Sequence, residues 1–404
     1  MEIRFSRTQG LDEAKSFLSQ ALASGKFPHA LLVHGAAGMG QYALLLDLAD
    51  ILICEDPARK PCGTCSGCLG RKRDNLDNIH FVMPLVEKSE AGDARSLTPA
   101  QIAELTQGIK SLSQDPYGFA LSEKGFIRIA QITDLQGKIS YSLSGNRAKI
   151  AIFLNPENMI PGVFNSFLKT LEEPPPNTYF LLGCEGRSEM PATILSRCTQ
   201  LPLFPMTPDD LRAVVAAKSA EWDLPSVPDR LLPFAEGSPG ALLALHRNGG
   251  DTLIGEAGDF LRATAAGLDA RGGAGGKAAD GWLAFADYAE TAKPFEDMHG
   301  AAPLLLFLLR AVRLFHRLRA MEGPSSATGS AARESWTRTA LERQGLDPSL
   351  ADALAPLAAI PDLKAFTAFL EGLLAAVRDY AKPKNAALGL YLEYLQEQPV
   401  AAGA

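Results

Sequence analysis

The chain of 404 residues is too long for one ordinary hydrophobic core and predicts two or three domains. Its net charge of −7 argues against nucleic-acid binding driven by overall charge, although a local basic patch is compatible with it. No apolar run approaches the ~18 residues of a membrane helix, and the N-terminus has no apolar signal core. We therefore expect a cytosolic, globular protein.

The first elements predicted along the chain are a helix, a strand and a second helix. Apolar residues at helical spacing predict a helix over 11–24, which Gly25 ends. The continuous apolar run at 30–34 predicts a buried strand, and the apolar residues of 43–53 predict another helix. Residues 35–42 connect this strand to this helix.

The connection has the frame of a phosphate-binding loop. A working loop reads G-x-x-x-x-G-K-[ST]: its backbone N–H groups surround the phosphates, its lysine reaches the β- and γ-phosphates, and its hydroxyl binds Mg²⁺. Gly35, Gly38 and Gly40 supply the glycines of such a loop. Gln41 replaces the lysine and Tyr42 replaces the small hydroxyl residue. The sequence keeps the scaffold of the site without the groups that bind phosphate and metal.

Four cysteines follow the second helix at metal-ligand spacing. Cys54, Cys62, Cys65 and Cys68 are separated by seven, two and two residues, with glycines between them. Such a set suits a tetrahedral Zn²⁺ site, and in a cytosolic chain disulfides are disfavoured. An iron–sulfur cluster also accepts four thiolates, but the ferredoxin spacing is missing. Four unrelated cysteines are the alternative. We predict a structural zinc module rather than a catalytic metal.

The middle of the chain alternates strands and helices. A short strand is predicted over 79–84, a flexible surface insertion over 87–97 and a second short strand over 127–129. A helix then starts at 133–134 and continues through 139 and 143. The strongest strand is 148–154, which is apolar apart from Lys149 and is expected inside a parallel sheet.

The end of that strand departs from the pattern of an ATPase. In P-loop ATPases an acidic residue near this position binds Mg²⁺. Here the strand ends in Asn155 and Pro156, with Glu157 one place further on. An amide is a poor replacement for a metal-binding carboxylate, so a second part of the catalytic apparatus is missing.

The remaining elements predict an α/β domain followed by helices. A helix over 163–171 stops at three consecutive prolines, and a core strand covers 179–183. Strands alternating with helices up to residue 203 favour a mainly parallel sheet. Beyond 207 the predicted elements are helices at 209–220, 228–235, 241–247, 304–321, 350–360 and 363–380, with a glycine-rich loop at 271–276.

Several stretches together resemble the AAA+ clamp-loader ATPases of bacterial DNA polymerase III, and in particular their delta-prime-like members. The resemblance covers roughly residues 5–247. It rests on the run Pro28–Gly35, the cysteine module after the loop helix, the stretch Asn165–Pro175 containing Leu-Lys-Thr-Leu-Glu-Glu-Pro-Pro, and Pro191–Cys198 containing Ser-Arg-Cys. It implies a RecA-like α/β domain over 1–205 with the zinc module inserted at 54–68, a helical lid over 206–250 and a helical collar over 251–404.

The resemblance also implies an inert nucleotide site. Motor subunits of this family keep the loop lysine and the acidic pair, whereas delta-prime-like subunits lose them. Motor subunits also carry a nucleotide-sensing arginine where this chain has Gly240, and a threonine near the end of the strand that closes with Gly183-Cys184 here. These departures point in one direction, and no intrinsic ATPase activity is expected.

One catalytic group of the family is present. Arg197, within Ser196-Arg197-Cys198, resembles the arginine finger that these proteins insert into the ATP site of a neighbouring subunit. A guanidinium suits this role because it stays charged and presents a planar fork of donors to phosphate oxygens. An ordinary surface or ion-paired arginine is the alternative. Cys198 and Cys184 are expected to be buried core residues.

Two basic features have open interpretations. Lys169 lies on a helix that in this family is near the channel for primer–template DNA, but a solvated lysine fits equally well. A group of arginines on a C-terminal helix is more simply explained as a charged outer face than as contact with DNA or a partner. This group comprises Arg310, Arg313, Arg317 and Arg319.

These expectations combine into a non-hydrolysing stator subunit of the DNA polymerase III clamp loader, a part of the DNA-directed DNA polymerase holoenzyme. Its expected partners are the motor and clamp-opening subunits in a hetero-oligomeric ring, the sliding clamp, and primer–template DNA through the complex. The alternatives are an active motor subunit of the same complex and a stand-alone zinc-containing nucleic-acid-binding protein.

Overall fold

The computed structural model describes residues 1–404 except 74–77, 87–95, 123, 141–147, 186–189, 225–227, 273–282, 284, 287, 290–291, 293–297, 323–329, 344–346, 380–386, 388–389, 392 and 395–404. The described residues form two compact units. Unit 1 comprises 1–227 and 236–243, and unit 2 comprises 228–235 and 244–404.

Unit 1 is built on a five-stranded parallel sheet. Its strands are β2 (Ala30–His34), β4 (Ile79–Val82), β5 (Lys149–Leu154), β6 (Thr178–Cys184) and β7 (Thr199–Pro202). Their order across the sheet is β4-β5-β6-β2-β7, and every neighbouring pair is parallel. A separate two-stranded parallel pair joins β1 (Glu2–Ile3) to β3 (Arg59–Lys60). The prediction of a mainly parallel sheet is confirmed.

Apolar cores on both faces of the sheet explain why its central strands are mainly apolar. Every residue of β5 is buried, as expected for a strand between two neighbours in a sheet covered on both sides. One core contains Leu31, Leu45 and Ile152, and the other contains Leu32 and Phe180. The side chains alternate between the two cores because successive residues of a strand point to opposite faces.

Helices cover the sheet and connect its strands. They are α1 (Asp12–Ala23), α2 (Gln41–Ile53), α3 (Ser66–Lys72), α4 (Pro99–Gln114), α5 (Ile129–Ser140), α6 (Pro161–Glu172), α7 (Ala192–Leu195) and α8 (Pro208–Trp222). The predicted helices over 11–24, 43–53, 163–171 and 209–220 are all confirmed to within two residues at each end.

The sequence prediction was wrong around residue 128. Phe126 and Ile127 form only isolated bridges, with Leu85 and Met159, and no strand covers 127–129. The helix expected from 133 already begins at Ile129, because the side-chain carbonyl of Gln131 accepts the N–H of Arg128 at 3.0 Å and satisfies a donor at its start. The expected end at 143 and nearly all of the insertion at 87–97 lie outside the described residues.

The described part of unit 2 contains helices and no strand. Its helices are α9 (Leu232–Ala235), α11 (Gly250–Gly272), α12 (Met298–Glu322), α13 (Ser330–Arg343), α14 (Pro348–Leu354) and α15 (Leu363–Asp379), and α10 (Pro239–Arg247) is divided between the units. The helical prediction for the last third is confirmed. Arg271 and Gly272 belong to α11 rather than to the predicted glycine-rich loop, whose other residues are not among those described.

Aromatic side chains fill the interior of unit 2. Phe260 on α11 lies edge-to-face with Phe285 at 5.5 Å between ring centroids and stacks with Phe369 of α15 at 6.4 Å. The Tyr391 hydroxyl donates to the carbonyl of Thr264 at 3.0 Å. Among the described residues no single helix is long and apolar enough to cross a membrane, although the bent pair Pro348–Ala359 and Leu363–Ala376 meets that test jointly.

Candidate functional site

The loop between β2 and α2, where the sequence predicts the frame of a phosphate-binding loop, depends on two glycines in the left-handed conformation. Gly38 and Gly40 adopt φ values of 73° and 97°, in the left-handed region that glycine tolerates without strain. A side chain at Gly40 would also meet the ring of Tyr117, since an added Cβ would lie 3.0 Å from it. The predicted glycine frame is therefore required by the conformation that the chain adopts.

Gln41, at the position of the phosphate-binding lysine, points into the protein. Its side chain is buried, its Nε2 donates weakly to the carbonyl of Ala36 at 3.4 Å, and its Oε1 has no hydrogen-bond partner among the described residues. A buried amide cannot reach out toward a triphosphate as a lysine ammonium does.

Tyr42, at the position of the metal-binding hydroxyl, bonds directly to the end of β5. Its hydroxyl donates a short hydrogen bond to Oδ1 of Asn155 and lies 3.4 Å from Oε1 of Glu185. Burial, reinforced by Glu185 and Glu157, raises the pKa of Tyr42 well above its usual value, so the hydroxyl stays protonated as a donor. In P-loop NTPases these two positions share Mg²⁺; here their side chains are bonded to each other.

A glycine makes room for the tyrosine ring. A Cβ added to Gly183 on β6 would lie 2.9 Å from the side chain of Leu45 and 3.4 Å from the ring of Tyr42. Any larger residue at this position would press against Leu45 and Tyr42 of α2. The departures at 42, 155 and 183 therefore form one packed arrangement.

The start of α10 packs directly on the loop. The Gly240 N–H donates to the carbonyl of Gly38 at 2.9 Å, and the buried Ser238 hydroxyl donates to the carbonyl of Ala37 at 2.8 Å. A Cβ at Gly240 would lie 2.3 Å from the Tyr117 carbonyl and 2.7 Å from the Gly38 Cα. The position of the sensing arginine thus has no space for any side chain.

Tyr117, which the sequence analysis did not identify, packs against the same loop and the start of α10. It is 3% exposed, its hydroxyl accepts the N–H of Gln9 at 2.9 Å, and its ring meets that of Trp222 edge-to-face at 5.4 Å. Nearby, Phe119 meets Tyr42 edge-to-face at 5.9 Å. No local motif marks these aromatic residues, because each contacts segments far away in sequence.

The four predicted ligand cysteines lie together. Their sulfur atoms are all within 4.8 Å of one another; Cys62 Sγ is 4.0 Å from that of Cys68, and Cys65 Sγ is 3.9 Å from that of Cys54. Four sulfurs at ~2.3 Å from one tetrahedral zinc ion would lie about 3.8 Å apart. The donor set and its spacing fit Zn²⁺, with all four positions supplied by protein.

Hydrogen bonds to sulfur favour a thiolate at Cys62. The Thr64 hydroxyl and N–H both lie 3.5 Å from this sulfur, and the N–H of Cys65 donates to it at 3.3 Å. These donors lower the pKa of Cys62 to about 6. Burial instead raises the pKa of Cys68 to about 12, and a cation bound by the four sulfurs would favour the thiolate form.

Local packing positions the module beside α2. Cys54 follows directly after α2, and the Cys65 side chain accepts the Cys68 N–H at the start of α3. A Cβ at Gly67 would lie 2.4 Å from the carbonyl of Ile53, so α3 approaches α2 as closely as only glycine permits. Cys184 and Cys198 lie elsewhere and are buried, as expected, and burial raises the pKa of Cys198 to about 12.

Arg197 lies at the surface, with its side chain 35% exposed. Its Nε donates to Oε1 of Glu172 at 2.6 Å, and its Nη1 donates to the Thr193 carbonyl at 2.8 Å and to the Ser196 hydroxyl at 3.3 Å. The structure thus pairs the predicted finger with the Glu-Glu-Pro-Pro stretch and not with the loop at Gly35–Tyr42. Lys169 on α6 is exposed, as are Arg313, Arg317 and Arg319 on α12.

Residues 10–207 match the family model described as DNA polymerase III, delta subunit. The delta' subunits of Haemophilus influenzae and Escherichia coli are 26% identical over 181 residues and 28% identical over 226 residues. These alignments cover 45% and 55% of this chain, and 44% and 55% of the relatives. The tau subunit of Escherichia coli is 26% identical over 239 residues, which is 59% of this chain and 31% of that protein.

The chain spans about half the length of the delta' relatives and less of tau. Among solved structures, a protein from Thermotoga maritima related to the gamma subunit of DNA polymerase III aligns with 95% of this chain and 99% of its own. Its TM-score is 0.37 at 13% identity, which is too low to support the fold. The fold assignment therefore rests on the sheet order and the loop themselves.

Proposed function

We propose that the chain is a non-hydrolysing, stator-type subunit of a clamp loader, because its residues 10–207 match the family model of the DNA polymerase III delta subunit. It joins motor and clamp-opening subunits in a hetero-oligomeric ring. ATP turnover by the motors then opens the sliding clamp and places it on primer–template DNA. In this proposal residues 1–205 form the ATPase-like domain, 206–250 the lid and 251–404 the collar, and the protein acts in the cytoplasm.

The observation that carries the inert role is the hydrogen bond between Tyr42 and Asn155. It joins the two positions between which P-loop NTPases hold Mg²⁺. The packing of Gly240 on Gly38 supports the same conclusion, because no nucleotide-sensing side chain fits there. Similarity to the tau subunit does not argue for an active motor, because this chain has Gln41 where a working phosphate-binding loop has a lysine.

The second half of the proposal is that Arg197 acts on the ATP of a neighbouring motor subunit. Its exposure and its planar fork of donors support this role. Trans-acting fingers contribute roughly 10³-fold or more to phosphoryl transfer. The zinc ion, bound by Cys54, Cys62, Cys65 and Cys68, supplies no chemistry to this reaction and stabilises the module after α2.

Replacing Arg197 with alanine in the reconstituted complex tests this role. Turnover at the one motor site that faces the chain should fall roughly 10³-fold, so total ATPase activity falls by the share of that site. Size-exclusion chromatography should show the same assembly, and Arg262→Ala on α11 serves as a surface control. Unchanged turnover with intact assembly would exclude Arg197 as a finger.

A further inference from the structure

The guanidinium of Arg197 is held in one orientation by its own chain. Two of its nitrogens, Nε at 2.6 Å and Nη2, contact the same carboxylate oxygen, Oε1 of Glu172. Its third nitrogen, Nη1, contacts the Thr193 carbonyl at 2.8 Å and the Ser196 hydroxyl at 3.3 Å. An arginine side chain otherwise samples many rotamers, so these contacts restrict it before any partner is present.

Glu172 is itself held in place by the fold. It is the last residue of α6, directly after the buried Leu171, whose carbonyl lies 3.2 Å from Nε2 of His29. Two residues before Glu172, the hydroxyl of Thr170 accepts a hydrogen bond from the Gln136 side chain of α5 at 2.8 Å. These contacts hold the C-terminal end of α6 in place from two sides. The backbone from which the Glu172 side chain extends is therefore fixed in position.

We propose that Glu172 is the positioning residue of the arginine finger, orienting the Arg197 guanidinium toward the phosphates of the neighbouring subunit. This inference rests on the proposed role of Arg197. The pair does little for stability, because both side chains are partly exposed, at 35% and 44%, and exposed ion pairs contribute little. Orientation matters more: a misplacement of about 1 Å in a catalytic group can cost roughly 10²-fold in rate.

The test uses the reconstituted complex in which the motor sites that do not face this chain are inactivated. Glu172→Gln keeps the size of the side chain but removes its charge, and should lower kcat roughly tenfold. The KM for ATP should not change, because the motor subunit supplies the groups that bind the nucleotide. Glu173→Gln, on the exposed neighbour that makes none of these contacts with Arg197, should leave both constants unchanged.

A double variant separates this inference from the proposed function. If Glu172 acts through Arg197, Glu172→Gln should have no further effect in the Arg197→Ala background. In the isolated chain, the NMR signal of the Arg197 Nε–H should shift and broaden in Glu172→Gln but not in Glu173→Gln.

Three other outcomes would contradict the positioning role of Glu172, and the last of them would also contradict the proposed finger. A large loss in Arg197→Ala with unchanged or raised kcat in Glu172→Gln overturns the positioning role and leaves the finger intact. An equal further loss in the double variant shows that Glu172 acts without Arg197 and also overturns it. No loss in Arg197→Ala overturns the proposed finger and the inference together.

Discussion

At the scale of single residues, the loop that resembles a nucleotide site is occupied by the protein's own contacts. Tyr42 bonds Asn155, Gly240 bonds Gly38, and Gln41 is buried. In a motor protein each of these replacements would remove a group that binds nucleotide or metal. Here the replacing residues make contacts within the protein and contribute to its packing. The loop therefore works as part of the core, and its substitutions should affect stability.

Removing the Tyr42 hydroxyl tests this contribution. Tyr42→Phe removes the donor of the short, partly buried hydrogen bond to Oδ1 of Asn155, and should lower the free energy of unfolding by about 0.5–1.5 kcal/mol. Tyr179→Phe is the control, since that half-buried tyrosine lies on the same sheet and its hydroxyl has no hydrogen bond among the described contacts. Urea denaturation measures both; equal effects would contradict the account.

The close approach of α10 to the loop gives a second prediction. Gly240→Ala places a Cβ 2.3 Å from the Tyr117 carbonyl, so the backbone must shift, at a cost of about 1–3 kcal/mol. Gly162→Ala is matched to it: each glycine follows the proline that begins a helix, but a Cβ at Gly162 meets nothing within 4 Å. Urea denaturation should therefore show destabilisation for Gly240→Ala alone. A stable Gly240→Ala protein would show that the loop is open.

At the scale of elements, local patterns predicted what depends on nearby residues. The apolar run of β5 predicted a buried strand, and the spacing of the four cysteines predicted that their sulfur atoms lie together. The side-chain contacts that close the loop at Gly35–Tyr42 could not be predicted in this way. Tyr42 and Asn155 are 113 residues apart, and Ser238 and Ala37 are 201 apart, so no local periodicity reports these contacts.

One helix was missed although its signal was present. Thr98 caps α4, and its side chain and that of Gln101 form a capping box, with Pro99 at the first helical position. The false strand at 127–129 arose from alternating apolar residues that instead belong to two single bridges and the first turn of α5. Short apolar stretches do not distinguish these cases.

The cysteine module should bind one zinc ion and depend on it locally. Metal analysis of the purified chain should give about one equivalent, and a strong chelator should remove it, exposing the backbone of the β1–β3 pair to hydrogen exchange. Cys65→Ser should weaken zinc binding by more than the roughly 10–100-fold that follows loss of a ligand's hydrogen-bond partner. Ser66→Ala, beside it, should retain the metal. A metal-free chain with the same exchange pattern would contradict this.

At the scale of the whole molecule, the chain's own nucleotide site has to be distinguished from the ATP site of a neighbouring subunit. In the proposed function, the loop at Gly35–Tyr42 is closed by the bond between Tyr42 and Asn155, and the partly exposed Arg197 acts on another subunit. Both parts fit a subunit that completes a neighbouring site without using ATP itself. An active motor or a separate zinc-containing nucleic-acid-binding protein would not need this combination.

The central claim, that this chain's own nucleotide site is closed, is tested most directly by equilibrium dialysis of the isolated chain with labelled ATP and Mg²⁺. A motor subunit of the same complex is the positive control. The account predicts no saturable binding up to about 1 mM ATP, which corresponds to less than about 4 kcal/mol of binding free energy. Saturable binding of about one equivalent below that concentration would contradict it.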